Sequence, residues 1–184
     1  VSHNGFELDK YFKTDDLKKC SRFWIILFKT ILSKLYHWKI YVVGSVEYQY
    51  PNHLFQAGYF LDKKYYDENT IDFKHLLLSE KNQSLLKDIQ NSNSVGVHIR
   101  RGDYMTKQNL VIFGNICTQK YYHDAIRIIT EKVNDAVFYV FSDDISWVQT
   151  HLDIPNAVYV NWNTGESSIY DMYLMSSCKY IIIA

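Results

Sequence analysis

Val97-His98-Ile99-Arg100-Arg101-Gly102-Asp103-Tyr104 concentrates an imidazole, two guanidiniums and a carboxylate in eight residues. The apolar run from Val95 to Ile99 reads as a buried strand. Gly102 then permits a tight turn. These polar groups are therefore expected at the C-terminal end of a parallel strand, the edge at which open α/β sheets bind ligands. Arginine there suits an anion, because its planar fork matches phosphate oxygens two at a time. Strand alternation sends His98 and Arg100 to one side and Arg101 to the other. The competing reading is structural: an ion pair from Asp103 to Arg100 or Arg101 that tightens the turn. Arg101-Gly102-Asp103 is also the adhesion tripeptide, but that role needs an exposed loop tip rather than a strand end.

Two further constellations follow the same layout. Ser142-Asp143-Asp144 comes directly after the apolar run Phe138-Tyr139-Val140-Phe141. Ser and Asp are ordinary helix caps, which accounts for one of the three. Adjacent carboxylates repel, so the second could accept hydrogen bonds from a base or a ribose. A metal site is the alternative, but no His or Glu stands at a matching spacing. In Asp171-Met172-Tyr173-Leu174-Met175-Ser176-Ser177-Cys178-Lys179, Met172, Leu174, Met175 and Cys178 read as core, leaving Asp171 and Ser176 to face a cleft. Gly165-Glu166-Ser167-Ser168 is a turn before a helix, whose free N–H groups could hold an anion. No G-x-G-x-x-G, P-loop or Ser/His/Asp arrangement is present.

The elements that must position these groups alternate regularly. Strands are expected over 94–100, 136–141, 157–160 and 179–184, and helices over 118–133, 145–152 and 168–177. Such alternation with short links implies βαβ units and a parallel sheet. Upstream, a helix is expected over 79–90, with Ser79, Asn82 and Gln83 forming its cap region. Polar Asn91-Ser92-Asn93-Ser94 marks a lobe boundary, dividing the chain into 1–93 and 94–184. Residues 48–66 are aromatic and loop-like, and 40–43 read as a short strand closed by Gly44. An amphipathic helix is expected over 17–38. Lys29, Lys34 and Lys39 interrupt the apolar stretch 23–43 that could otherwise span a membrane, so this helix packs on a core or lies on a membrane surface.

Composition sets outer limits. The 184 residues are 47% hydrophobic, enough for a packed core. Lys+Arg and Asp+Glu are both 20, so the net charge is zero, which argues against a nucleic-acid partner. Cys20, Cys117 and Cys178 have no CxxC spacing and suit free thiols in a reducing compartment. The chain begins Val1-Ser2-His3 and ends in the apolar run Tyr180-Ile181-Ile182-Ile183-Ala184, as expected of an internal fragment.

Taken in order, these constellations resemble the α-1,2-fucosyltransferases of glycosyltransferase family 11. His98 to Tyr104 matches that family's H-x-R-R-G-D-Y motif in full. Phe113-Gly114-Asn115-Ile116-Cys117-Thr118 with Tyr121-Tyr122 is similar to its next segment. Phe141-Ser142-Asp143-Asp144 with Trp147 resembles its second motif, and Asp171-Met172 to Lys179 the start of its third. Upstream, Gly58-Tyr59-Phe60-Leu61 with Lys64-Tyr65-Tyr66 resembles the family's G-Y-[FW]-Q-S-x-K-Y-F region. The likeness runs from about residue 55 to 184. Tyr180 departs from the family's frequent His, and the family's Gly-rich N-terminal pattern is missing.

The resemblance implies a two-lobed GT-B-like α/β fold, with a Rossmann-like C-terminal lobe holding GDP-fucose and an incomplete N-terminal lobe facing the acceptor. It implies inverting transfer of L-fucose to the 2-hydroxyl of a terminal β-galactoside in a glycan or surface polysaccharide, with no metal or other cofactor. In these terms Arg100 stabilises charge on the departing diphosphate, His98 contacts the nucleotide or orients Arg100, and Arg101 is structural or donor-binding. Ser142, Asp143 and Asp144 serve the base or ribose, Asp171 the donor cleft and Ser176 the phosphate region. Asp103 is the general base or an orienter of Arg100. The alternatives are an α-1,6- or protein O-fucosyltransferase, or a noncatalytic GDP-sugar or glycan-binding domain. The expected setting is the bacterial cytoplasm, in peripheral contact with the inner membrane, or the Golgi membrane in a eukaryote. The Asn82-Gln83-Ser84 sequon does not decide between them.

Overall fold

The computed structural model describes residues 8–13, 31, 41–44, 55–58, 72–113 and 116–183. The helix expected over 17–38 lies outside the described residues except for Ile31, which is helical. The chain divides into two units, 1–75 and 76–184.

In the first unit a short helix, α1 (Leu8–Tyr11), leads to Phe12, which bridges antiparallel to Phe73 with ring centroids 4.6 Å apart. Backbone bonds from Lys13 N to Asp72 O and from Lys74 N to Tyr11 O, both 2.8 Å, fasten the bridge. Strands β1 (Tyr41–Gly44) and β2 (Phe55–Gly58) pair in parallel, Tyr41 opposite Phe55. The first matches the strand expected at 40–43. The second falls in a stretch read as loop, because Phe-Gln-Ala-Gly carries no alternating pattern by which to recognise it.

The second unit opens with α2 (Glu80–Asn91) and β3 (Asn93–Ile99). A 3-10 turn (Asp103–Met105) and α3 (Lys107–Phe113) follow, and then α4 (Gln119–Lys132) and β4 (Ala136–Ser142). The chain continues through α5 (Ile145–His151), β5 (Ala157–Val160), a 3-10 turn (Gly165–Ser168), α6 (Ile169–Ser176) and β6 (Tyr180–Ile182). Side-chain caps start four of the described helices, Thr106 Oγ1 accepting from Asn109 N at α3. Ser79 Oγ accepts from Asn82 N, Thr118 Oγ1 from Tyr121 N and Asp144 Oδ1 from Trp147 N.

The four strands form a parallel sheet in the order β5-β4-β3-β6. Alternation along them builds two cores. Val95, Val97 and Ile99 of β3 and Phe138 and Val140 of β4 pack with Tyr122 and Ile126 of α4 and Val148 of α5. Tyr139 and Phe141 of β4 and Val160 of β5 pack on the other face with Leu85 and Ile89 of α2 and Leu174 of α6. Helices on both faces of a parallel sheet explain why the strands read as near-continuous apolar runs.

The observed unit begins at 76, whereas the sequence pattern placed a boundary at 93/94. The polar residues there are pinned rather than linking. Ser94 is fully buried and accepts from Lys179 N, Ser92 bonds Tyr139, and Asn93 Nδ2 donates to Asn134 O. The helix before them packs on the sheet and so belongs to this unit.

The chain runs β3, β4, β5 toward one edge and then returns to place β6 on the far side of β3. The direction of winding therefore reverses between β3 and β6, and the carboxyl ends of these strands flank a topological switch point. Among the described residues no helix is long and apolar enough to cross a membrane.

Candidate functional site

Beyond Ile99, β3 leaves the sheet and its backbone N–H groups lose their strand partners. Asp143, at the end of β4, supplies new ones. Its Oδ1 accepts from Arg101 N at 2.9 Å and its Oδ2 from Gly102 N at 2.8 Å. A Cβ on residue 102 would lie 2.6 Å from Asp143 Oδ2, so only glycine lets the loop approach the carboxylate this closely. The Gly102 carbonyl then accepts from Met105 N at 3.3 Å, closing the 3-10 turn, and the Arg101 carbonyl shares the same N–H at 2.9 Å.

Asp144 caps α5 with Oδ1 and receives Arg101 Nε on Oδ2 at 3.3 Å. Ser142 Oγ accepts from Asp144 N at 3.0 Å. The Arg101 guanidinium also lies 3.7 Å from the Trp147 ring centroid, and His151 stacks on that ring at 4.6 Å. Asp143 and Asp144 thus fasten the loop to β4 and α5 with three of their four oxygens, the fourth capping α5. Arg101 takes a structural position.

Arg100 and His98 are left toward the ligand edge. Arg100 is exposed, its guanidinium 4.9 Å from the Tyr104 ring centroid. His98 lies at the carboxyl end of β3, and its Nδ1 is buried with no hydrogen-bond partner among the described residues. Burial and the Arg100 charge lower the His98 pKa, and Asp143 opposes them weakly. The imidazole is therefore neutral at pH 7, able to donate from one nitrogen and accept at the other. A buried polar atom left unpaired is costly, which suits a position completed by a ligand. The Asp103 backbone opens the 3-10 turn, but its side chain lies outside the described set.

Asp171 sits in the first turn of α6, near the end of β5 and so on the same sheet edge. Its Oδ1 accepts from Asn163 Nδ2 at 2.7 Å. Asn163 and Asn82 bond each other through both amide ends, and Trp162 Nε1 donates to Asn82 Oδ1 at 2.7 Å. The Lys81 ammonium lies 3.6 Å from the Trp162 ring centroid. Burial pushes the Asp171 carboxyl up to about 6, and the Asn163 bond pulls the other way. Asn82, Trp162 and Asn163 were not legible as site residues, since nothing local joins positions 80 apart. Asn82 is 1% exposed with both its amide atoms hydrogen-bonded, so the sequon asparagine occupies a core position.

Ser176 is not brought to this edge. It ends α6 just before β6, whose Tyr180 pairs with Val95 near the start of β3. Its hydroxyl donates to Tyr173 O. Helix α6 runs antiparallel to the strands, so its two ends serve opposite edges of the sheet, and the phosphate role expected of Ser176 does not fit its place. Among the described residues no three His, Cys, Asp or Glu side chains cluster as a metal site. Cys117 and Cys178 are free thiols, and Cys20 lies outside the described residues.

Arg100 and His98 thus lie at the switch point of an α/β unit with helices on both faces of a parallel sheet, the edge at which open α/β sheets bind ligands. The comparison with known proteins narrows this. Residues 11–184 match Glycosyl transferase family 11, and the chain belongs to that family. An alpha-1,2-colitosyltransferase of Escherichia coli is 34% identical over 150 residues, covering 77% of this chain and 48% of that protein. The O-antigen biosynthesis glycosyltransferase WbnK of Escherichia coli is 43% identical over 96 residues, 52% of this chain and 32% of that protein. Galactoside alpha-(1,2)-fucosyltransferase 2 of Pongo pygmaeus is 27% identical over 116 residues, 59% of this chain and 34% of that protein. The chain spans about half or less of the length of these relatives. No solved structure matches it.

Proposed function

We propose that the protein carrying this chain transfers L-fucose from GDP-fucose to the 2-hydroxyl of a terminal β-galactoside, with inversion and without a metal. The 76–184 unit is the donor side of a two-lobed GT-B enzyme. The observation that carries the reading is that exposed Arg100 and His98, whose buried Nδ1 has no partner among the described residues, both stand at the switch point.

Single displacement passes through an oxocarbenium-like state while negative charge grows on the β-phosphate oxygens. A cation held in place stabilises that charge without reorganising at the moment of reaction. Arg100 takes this role. His98 completes its open valence on the nucleotide, and Asp143 holds the loop from beneath. Asp103 is the carboxylate assigned to the acceptor hydroxyl, as its base or as an orienter of Arg100.

The test incubates the whole protein with GDP-fucose and lactose, with and without EDTA. The reading expects 2-fucosylated lactose in both. Product lost to EDTA removes the metal-free claim, and absence of transfer to any galactoside removes the activity. Asp103→Asn separates the two roles: lost turnover with GDP affinity kept identifies the base, and lost GDP affinity the orienter. Transfer of colitose is the second reading, favoured by the 77% of this chain that the colitosyltransferase match covers. Running the two GDP-sugars in competition decides it.

A further inference from the structure

Asp171 is held on one side only. Asn163 engages Oδ1, while Oδ2 has no partner among the described residues and is not among the buried unpaired atoms, so it keeps contact with solvent. The group that holds it is itself over-determined. Asn82 is buried, its Nδ2 donates to Asn163 Oδ1 at 2.9 Å, and its Oδ1 receives both Asn163 Nδ2 and Trp162 Nε1. Neither amide can flip without facing donor against donor, because Trp162 offers only an N–H. The relay joins α2, the segment after β5 and α6 at the carboxyl edge of the sheet, on the face to which alternation also assigns His98.

We propose that Asn82 and Asn163 are positioning residues for donor binding: through Asp171 Oδ1 they fix the carboxylate so that Oδ2 accepts hydrogen bonds from N–H or O–H groups of the nucleotide. This rests on the donor-site reading above. Ionised Asp171 is the acceptor form, so nucleotide binding strengthens as pH rises through about 6. The titratable or charged groups on the surrounding elements are Lys81 of α2, Glu166 of the 3-10 turn, His98 of β3 and Tyr170 and Tyr173 of α6. Burial and the Asn163 bond set the Asp171 titration. Protonating His98 at low pH would strengthen anion binding, so its effect has the opposite sign.

The experiment measures GDP affinity of the whole protein by calorimetry from pH 5 to 8, for wild type and Asn163→Ala. Wild type is expected to bind more tightly above pH 6. The variant is expected to bind about ten-fold more weakly at pH 6.5, with its pH midpoint moved upward because the bond favouring the carboxylate is gone. A ¹³C titration of the Asp171 carboxyl in wild-type protein needs no variant. GDP saturation should lower its midpoint by about one pH unit, about ten-fold in linked affinity. An unchanged midpoint, or a variant whose affinity and pH profile match wild type, overturns the inference while GDP still binds. No GDP binding by wild type overturns the donor-site reading itself. If inosine diphosphate loses the midpoint change, the base is the source; if 2′-deoxy-GDP loses it, the ribose is.

Discussion

At the residue scale the site separates groups that hold from groups that reach. Asp143, Asp144 and Arg101 hold: the two carboxylates accept from the Arg101, Gly102 and Trp147 backbone and from Arg101 Nε. His98 and Asp171 reach, each keeping a polar atom with no partner among the described residues, and Arg100 is exposed at the same edge. For Asp171 this has a stability cost. Its folded pKa is raised from 3.8 to about 6, so the folded state favours the protonated form. The cost is absent below about pH 3.8 and complete above about pH 6. Asp171→Asn removes the charge and keeps an acceptor for Asn163. With allowance for solvent screening, the variant should be more stable at pH 7.5 by about 1 kcal/mol. The gain should vanish at pH 4, and GDP affinity should fall. Denaturant melts at the two pH values check the sign, and a variant destabilised at pH 7.5 would contradict it.

At the element scale the loop after β3 is the part most dependent on distant residues. Its clamp comes from Asp143, on the neighbouring strand. Asp143→Ala releases two backbone N–H groups at a solvent-facing position. The stability loss should be modest, about 1–2 kcal/mol, with a larger proportional loss of GDP affinity because Arg100 is no longer aimed. Gly102→Ala should reproduce the affinity loss by pushing the same carboxylate away. Thermal melts and calorimetry on both variants test this, and intact GDP affinity in either would show that the clamp does not aim Arg100. The sequence made the strands of the second unit and two caps legible, because apolar runs and Ser79 and Asp144 are local signals. It did not reveal α3, although Thr106 Oγ1 accepts from Asn109 N and is a cap that could have marked it. Nor could it reveal the Asp143 clamp or the Asn82–Asn163 pair, which are contacts between residues 41 to 81 apart.

At the scale of the whole molecule the parallel sheet and its switch point place the ligand edge, and family membership says what class of chemistry to expect there. The order β5-β4-β3-β6 explains why Arg100 and Asp171, far apart in sequence, share an edge while Ser176, five residues after Asp171, does not. Strand-helix alternation made the sheet type readable. The direction in which the chain returned to β6 was not, because strand order depends on long-range packing.

The central claim is that this edge binds the diphosphate of the donor through Arg100. The most direct measurement is calorimetric affinity of the whole protein for GDP and for GMP, wild type against Arg100→Ala. If Arg100 meets the β-phosphate, the variant should bind GDP at least about ten-fold more weakly, as expected for one lost charge-assisted contact, while its affinity for GMP stays near wild type. Equal GDP affinity in the two proteins, or equal losses for GDP and GMP, would contradict the account.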